Sequence, residues 1–290
     1  LTSIGTFGGN GADGALSIAS GTTTIDLGSA TSLIRNYTSI SITGSGSLAF
    51  SNPHANGTLI ILKCQGDVTI TTTAAAAIDL RSLGGTGGAA VTGGTGTSGA
   101  GGRGAAGLYI ECGGKLNFTG TINASGAAGG NGTAGATPSD VNGNDGTRGI
   151  SAFFAADFGR RGTFATPSSG AAGGGVTING LLIDFSLVLQ GRWVPLACGA
   201  GAGSGGTKAA GNLAGGGGGG AGSTVVILYK TLTANTGTVT LTGGAGGTTD
   251  GAGNIAGGGA ACFNAGTAGG TNGGAGANGE SLIAQNTVFA

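Results

Sequence analysis

The chain has no methionine, a single histidine, one tryptophan and four prolines in 290 residues, and only 8 % of it is charged. Each scarcity excludes something. Any Ser/His/Asp triad would have to run through His54. That residue sits in Ser51-Asn52-Pro53-His54-Ala55-Asn56-Gly57, a run of turn formers, and reads as turn surface. Eleven basic residues balance eleven acidic ones, which leaves no clustered Lys and Arg to attract nucleic acid or an anionic membrane. Zero net charge also removes the self-repulsion that keeps soluble proteins apart, so association is favoured. No apolar run approaches the roughly 18 residues of a membrane span, and 181–189, the longest candidate, is too short, so membrane insertion is not expected. The sequence opens at Leu1 rather than Met, which raises the expectation of a removed upstream segment such as a secretion signal.

Four cysteines, Cys64, Cys112, Cys198 and Cys262, are far apart and form no CxxC pair. With one histidine, a zinc site is not expected, and up to two disulfides in an oxidising compartment fit better, with three connectivities open. No GxxxxGK[ST] string occurs, and the GxGxxG-like strings lack the strand, helix and downstream acid of a dinucleotide site. Asp13-Gly14, Asp145-Gly146 and Asp250-Gly251 are isolated, whereas calcium needs six to eight oxygens gathered from tandem turns, so they read as ordinary turns. The scattered carboxylates offer no acid/base couple. No catalytic residue, cofactor or metal ligand is expected.

What the chain has in abundance is glycine, at 72 positions. In the first eighty or so residues, short Thr/Ile/Leu/Ser runs at 15–18, 22–27, 39–42, 48–50, 58–62 and 68–72 alternate with turn signals such as Asn56-Gly57 and Gly66-Asp67. An all-β fold is expected, a β-sandwich or a solenoid-like stack. From Leu83 a looser repeat follows: an apolar strand, a Thr-rich strand, then a glycine run. It begins at 59–64, 108–112 and 225–230, with a fourth copy at 176–189. This divides the chain into a Thr-rich β-region (1–82), a repeated strand and glycine region (83–280) and a C-terminal strand (281–290) exchanged between subunits. Cys64 and Cys112 end equivalent strands, so stacked copies bring them within reach of one another.

The glycine runs keep a period of three. Positions 84, 87, 90, 93, 96, 99, 102 and 105 are all Gly or Ala; 126, 129, 132 and 135 are Gly, as are 143, 146 and 149, and 270, 273, 276 and 279. Three residues per turn is the period of the extended left-handed helix. Bare faces let such helices approach closely enough for backbone hydrogen bonds between them, which is polyglycine II packing. A collagen triple helix is not expected, because proline is scarce and the register slips.

Between two glycine runs lie Phe153, Phe154, Phe158, Arg160, Arg161 and Phe164, and further on Trp193. These are residue types favoured in interfaces. The closing segment, with Leu282, Ile283, Val288 and Phe289, is a candidate for adding to the sheet edge of a neighbouring subunit, as is 1–7. Gly5-Thr6-Phe7-Gly8-Gly9-Asn10-Gly11-Ala12-Asp13-Gly14-Ala15-Leu16, Arg35-Asn36-Tyr37-Thr38-Ser39-Ile40-Ser41-Ile42-Thr43-Gly44, Asn52-Pro53-His54-Ala55-Asn56-Gly57-Thr58 and Gly279-Glu280-Ser281-Leu282-Ile283-Ala284 resemble glycine-rich secreted surface proteins of uncultivated bacteria. The glycine triplets across 84–280 also resemble phage tail-tip adhesins built on polyglycine II bundles. The first resemblance implies an extracellular or cell-surface location. The second implies receptor binding through loops between glycine helices, with the Thr-rich opening segment as a departure. The expectation is a non-enzymatic extracellular subunit that assembles with itself into a filament or surface layer. A receptor-binding adhesin with a cell-surface glycan as partner comes second, and a β-solenoid polysaccharide hydrolase third.

Overall fold

A computed structural model describes residues 7–133, 135–136, 139–147, 149–150, 196, 198–208, 213–250, 256–260, 266–267, 269–270 and 272–286. Among these the regular structure is all β. The chain passes repeatedly between two sheets whose strands are parallel. The first passage is β1 (Ala15–Ile18), β2 (Thr22–Asp26) and β3 (Ser32–Tyr37). The second is β4 (Ser39–Ile42), β5 (Ser47–Ser51), the short β6 (Asn56–Gly57) and β7 (Leu59–Cys64). The third is β8 (Val68–Ile70) and β9 (Ile78–Asp79). It then detours through β10 (Gly84–Gly85), β11 (Thr92–Gly93) and β12 (Gly96–Thr97), and returns in the first half of β13 (Gly107–Phe118). The second half of β13 and β14 (Thr121–Asn123) open the fourth. Its detour holds β15 (Thr207–Lys208) and β16 (Leu213–Ala214), and it closes in the first half of β17 (Thr224–Asn235). The rest of β17, β18 (Thr238–Thr240) and β19 (Glu280–Gln285) make the fifth.

One eight-stranded sheet takes β1, β3, β4, β7, β8, β13, β17 and β19; a five-stranded sheet takes β2, β5, β9, β14 and β18. The register makes straight ladders of like residues. Leu16, Ile40, Val68, Leu116 and Leu232 follow one another across five passages. In the other sheet, Thr23, Leu48, Ile78, Ile122 and Val239 do the same. Side chains alternate between faces along a strand. Ser-Ile-Ser-Ile of β4 and Ser-Leu-Ala-Phe-Ser of β5 therefore bury Ile40, Ile42, Leu48 and Phe50 and turn their small residues outward. These side chains join those of β7, β13 and β17 in a single core between the sheets. Burial of each contributes about 1.5 to 3 kcal/mol.

The strands expected at 15–18, 22–27, 39–42, 48–50, 58–62 and 68–72 are present within a residue or two at each end. Strand β3 was not anticipated. Its Ser-Leu-Ile-Arg-Asn-Tyr sequence has no clean alternation, because it carries both exposed Ile34 and Arg35. The stretches 1–82 and 83–280 share both sheets, since β7 and β8 pair with β13, and β9 with β14. The repeat copy at 176–189 lies outside the described residues. Parallel strands bury the apolar ladders of β7, β13 and β17 on both faces, which explains why their sequences are near-continuous apolar runs.

Candidate functional site

Beside the sheets lie the glycine-rich detours, and their backbone groups bond to one another in a strict order. Residues 215–222, all buried, are surrounded by six other segments. The N–H groups of Gly215, Gly218 and Ala221 donate to the carbonyls of Gly206, Gly203 and Ala200 at 2.9, 3.0 and 3.1 Å. Those of Gly217 and Gly220 donate to Gly130 and Ala127, and those of Gly219 and Gly222 to Gly274 and Ala277. The carbonyls of Gly215, Gly218 and Ala221 accept from Gly99, Gly102 and Ala105. Gly217 and Gly220 accept from Gly247 and Gly244, and Gly216 and Gly219 from Gly257 and Ala260. Partners thus rotate every third residue, which is the period of the glycine pattern.

Only glycine permits this approach at most of these positions. A Cβ on Gly217 would fall on the Ala100 carbonyl oxygen, on Gly218 on that of Gly258, on Gly219 on that of Gly244, and on Gly220 on that of Arg103. Every ordered glycine forfeits more backbone entropy than any other residue. Here that loss is offset by satisfying buried N–H and C=O groups that would each cost about 1–3 kcal/mol if left unpaired.

Away from the sheets, described residues at the outer ends of these segments come together. The hairpins β11–β12 and β15–β16 touch each other. Antiparallel bridges join Thr97 to Thr133, Val141 to Thr207 and Ala214 to Asp250. Side chains tie the group together: Thr207 Oγ1 donates to the Ser139 carbonyl at 2.6 Å, Asn131 Oδ1 accepts from the Thr248 amide at 2.9 Å, and Asn272 Oδ1 from that of Thr249 at 3.1 Å. Thr92, Thr95, Thr97, Asn131, Thr133, Ser139, Asp140, Thr248, Asp250 and Asn272 are exposed there. The cluster is rich in hydroxyls and amides, and it was not legible as a group, because its members are scattered from 92 to 272.

A second concentration of chemistry is internal. Lys63 Nζ and Glu111 Oε2 lie 3.1 Å apart, with side chains 6 % and 5 % exposed. They are register partners on β7 and β13. The Gly8 amide donates to the same Glu111 oxygen at 2.9 Å, so the N-terminal segment is strapped across the sheet. Phe7 packs beyond it against the cluster of Val226, Leu228, Leu282 and Ala284. At Gly8 and Gly9, φ is +82° and +76°, a region only glycine enters cheaply. A Cβ at Gly8 would also meet the Cys64 carbonyl oxygen at 2.7 Å.

The register makes Cys64 and Cys112 neighbours on adjacent strands; these thiols and that of Cys198 are free and buried. Burial raises the Cys64 thiol pKa, pushes that of Cys112 up to about 11 and that of Cys198 to about 12. All three are neutral and unreactive near pH 7. His54 caps its own turn: Nδ1 accepts from the Asn56 amide at 3.1 Å, while its N–H donates to Thr58 Oγ1 at 3.0 Å. Arg103 reaches the same turn, donating to the His54 and Gly84 carbonyls at 3.0 Å each. Among the described residues no group of three His, Cys, Asp or Glu could hold a metal ion, and no helix is long and apolar enough to cross a membrane. Leu282 is buried on β19 and Ile283 is half-buried against the core. Phe153, Phe154, Phe158, Arg160, Arg161, Phe164, Trp193, Cys262, Val288 and Phe289 lie outside the described residues. Compared with protein-family models, with curated proteins and with solved structures, the chain matches none.

Proposed function

We propose that this chain is an extracellular, non-enzymatic adhesive subunit: a solenoid-like β scaffold carries a bundle of polyglycine II helices, and the turns between them bind a neutral, hydroxyl-rich surface ligand such as a cell-surface glycan. The observation that carries this reading is the convergence of turns from five separate glycine-rich segments into one group. The threefold rotation of hydrogen-bond partners around 215–222 supports the polyglycine II assignment. The five stacked passages support the solenoid. Rigid rods hold the turns at little conformational cost on binding, which is what preorganisation contributes to affinity. Threonine hydroxyls and asparagine amides suit a polyhydroxylated ligand, because each offers both donor and acceptor.

The test is binding to intact cells and to immobilised polysaccharides, with Thr92, Thr97, Thr133 and Asp140 changed together to Ala. Saturable binding lost in the variant, with an unchanged melting temperature, is expected. Saturable binding retained by the variant, or absent from the parent protein, would remove the reading. Assembly into a filament by strand addition is the second reading. It is favoured by the fifth passage, where β18 and β19 are the outermost strands of their sheets and Leu232 is exposed. Electron microscopy of the purified protein separates the two, since regular fibres without a partner belong to the second.

A further inference from the structure

Two of the buried thiols share a face of the larger sheet and the third does not. Along β7, Ile60, Leu62 and Cys64 point into the core between the sheets, and along β13 Leu108, Ile110 and Cys112 do the same. Cys198 packs instead with Leu59, Ile61 and Tyr109, which alternate with those residues and lie on the opposite face. The sheet itself therefore stands between Cys198 and the other two. Cys64 and Cys112 are register partners, and the ladder they occupy runs Tyr37, Cys64, Cys112, Tyr229. Neighbouring strands lie about 4.7–4.9 Å apart, inside the Cα separation of about 4.4–6.8 Å that a disulfide spans. Both thiols also donate to one atom, the Gly66 carbonyl oxygen, at 3.4 Å from Cys64 and 3.8 Å from Cys112. Directly after Cys112, at Gly113-Gly114, the register of β13 against β17 shifts. Such an irregularity bends a strand locally and gives its end room to turn one sulfur toward the other.

We propose that Cys64 and Cys112 are a disulfide-forming pair, closed during folding in an oxidising compartment, while Cys198 stays a thiol. The structure holds the reduced form, with these thiols free. The oxidant is a small disulfide or a protein that exchanges disulfides for dithiols. The thiolate of one cysteine attacks a sulfur of that disulfide and expels one thiolate; the thiolate of the other then attacks the mixed disulfide and expels the second. The pair loses two electrons and two protons, and the oxidant gains them. Exchange precedes burial, because in the folded chain the apolar surroundings raise the pKa of both thiols and leave almost no thiolate to attack. The same burial then shields the finished bond from reductants. Cys64 closes the second passage and Cys112 the third, so the bond staples neighbouring passages and encloses the whole detour through β10, β11 and β12.

Peptide mapping of the full chain tests the pairing. The reduced protein is held near its urea midpoint in a mixture of reduced and oxidised glutathione, returned to buffer, then denatured in iodoacetamide and digested with trypsin. Cleavage after Lys and Arg places the four cysteines on different peptides, 64–81, 104–115, 193–208 and 231–290. Peptides 64–81 and 104–115 should be joined, with Cys198 and Cys262 alkylated. The oxidised protein should melt roughly 10 °C above the reduced one, because the bond closes a long loop of the unfolded chain. Cys64→Ser should melt at one temperature in either redox state. Should that variant fail to fold, the map of the parent chain and its own two melting temperatures still decide. Cys64 or Cys112 recovered as an alkylated thiol, as a glutathione adduct or bonded to another cysteine would overturn the proposal, as would a joined pair that melts no higher than the reduced chain. Neither readout involves a glycan, so cell binding by the converged residues is a separate measurement.

Discussion

Lys63 and Glu111 are taken out of water in a chain with few charges to spare, and what they stabilise is the position of the N-terminal strap. Removing one partner leaves the other charge buried and uncompensated, a loss of about 3–5 kcal/mol. Glu111→Gln and Lys63→Met should each lower the urea midpoint accordingly. The double variant Lys63→Met/Glu111→Met should recover most of the loss, less about 1–3 kcal/mol for the Gly8 amide that then lacks its acceptor. A double variant as unstable as the singles would mean that the pair contributes through something other than charge. The buried thiols give a second prediction at this scale. Their folded-state pKa values lie above the ordinary 9.0, about 11 for Cys112 and about 12 for Cys198. A raised pKa contributes stability that is complete below the unfolded value and lost as pH climbs through the folded one. The melting temperature should be level from pH 7 to about 8.5 and fall above pH 9, and Cys198→Ala should flatten part of that fall. With three of the four cysteines buried and free, thiol titration near pH 8 should detect no more than one sulfhydryl before denaturant is added.

The glycine-rich segments invert the usual relation between side chain and stability, because their packing depends on the side chain being absent. Gly217→Ala forces a methyl onto the Ala100 carbonyl of a neighbouring segment. Overpacking ordinarily costs about 1–3 kcal/mol, and backbone hydrogen bonds on both sides are displaced with it, so about 3 kcal/mol or more should be lost. Gly270 has nothing within 4 Å of where its Cβ would stand, and Gly270→Ala should be neutral or stabilising by up to about 1 kcal/mol through the unfolded chain. Equal effects in equilibrium denaturation would contradict close packing of these segments. The triplet spacing marked positions at which a Cβ would strike a neighbouring carbonyl, all four at 126–135 and three of the four at 270–279, Gly270 standing in open space. The apolar strands were readable for a related reason: period two in β4 and β5 declares one buried face. β3 escaped because Arg35 stands at an inward position at the end of the stack, where burial no longer dictates an apolar residue. The turn cluster escaped for a topological reason. Thr97 and Thr133, or Ala214 and Asp250, meet only because each segment runs out from the sheets and returns, and no local pattern records how far it runs.

Five of the glycine-rich segments are continuous with a strand of the two sheets. Residues 98–106 run into β13, 215–223 into β17 and 272–279 into β19, while 124–133 leave β14 and 241–249 leave β18. Segments from different passages are then bonded to one another, as 99, 102 and 105 are to 215, 218 and 221. Opening the bundle therefore pulls on three strands of the larger sheet, and separating those strands displaces the bundle; neither has a boundary at which to stop. Unfolding should follow a single transition with coincident midpoints by circular dichroism, which reports the sheets, and by hydrogen exchange at Gly217 to Gly222, which reports the bundle. Those amides should exchange only through global opening, whereas Gly14, Gly21 and Gly28, in open turns with nothing packed on them, should exchange orders of magnitude faster. Folding should be slow for a chain of this size, because bonds that hold the bundle join residues more than a hundred positions apart, as Gly99 and Gly215 are, and their loop-closure entropy falls due before any contact offsets it. Two separated transitions, with the glycine amides lost first, would make the bundle an appendage rather than part of the fold. Stiffness would then end at the sheets, and the converged turns would lose the rigid support on which their proposed binding role depends.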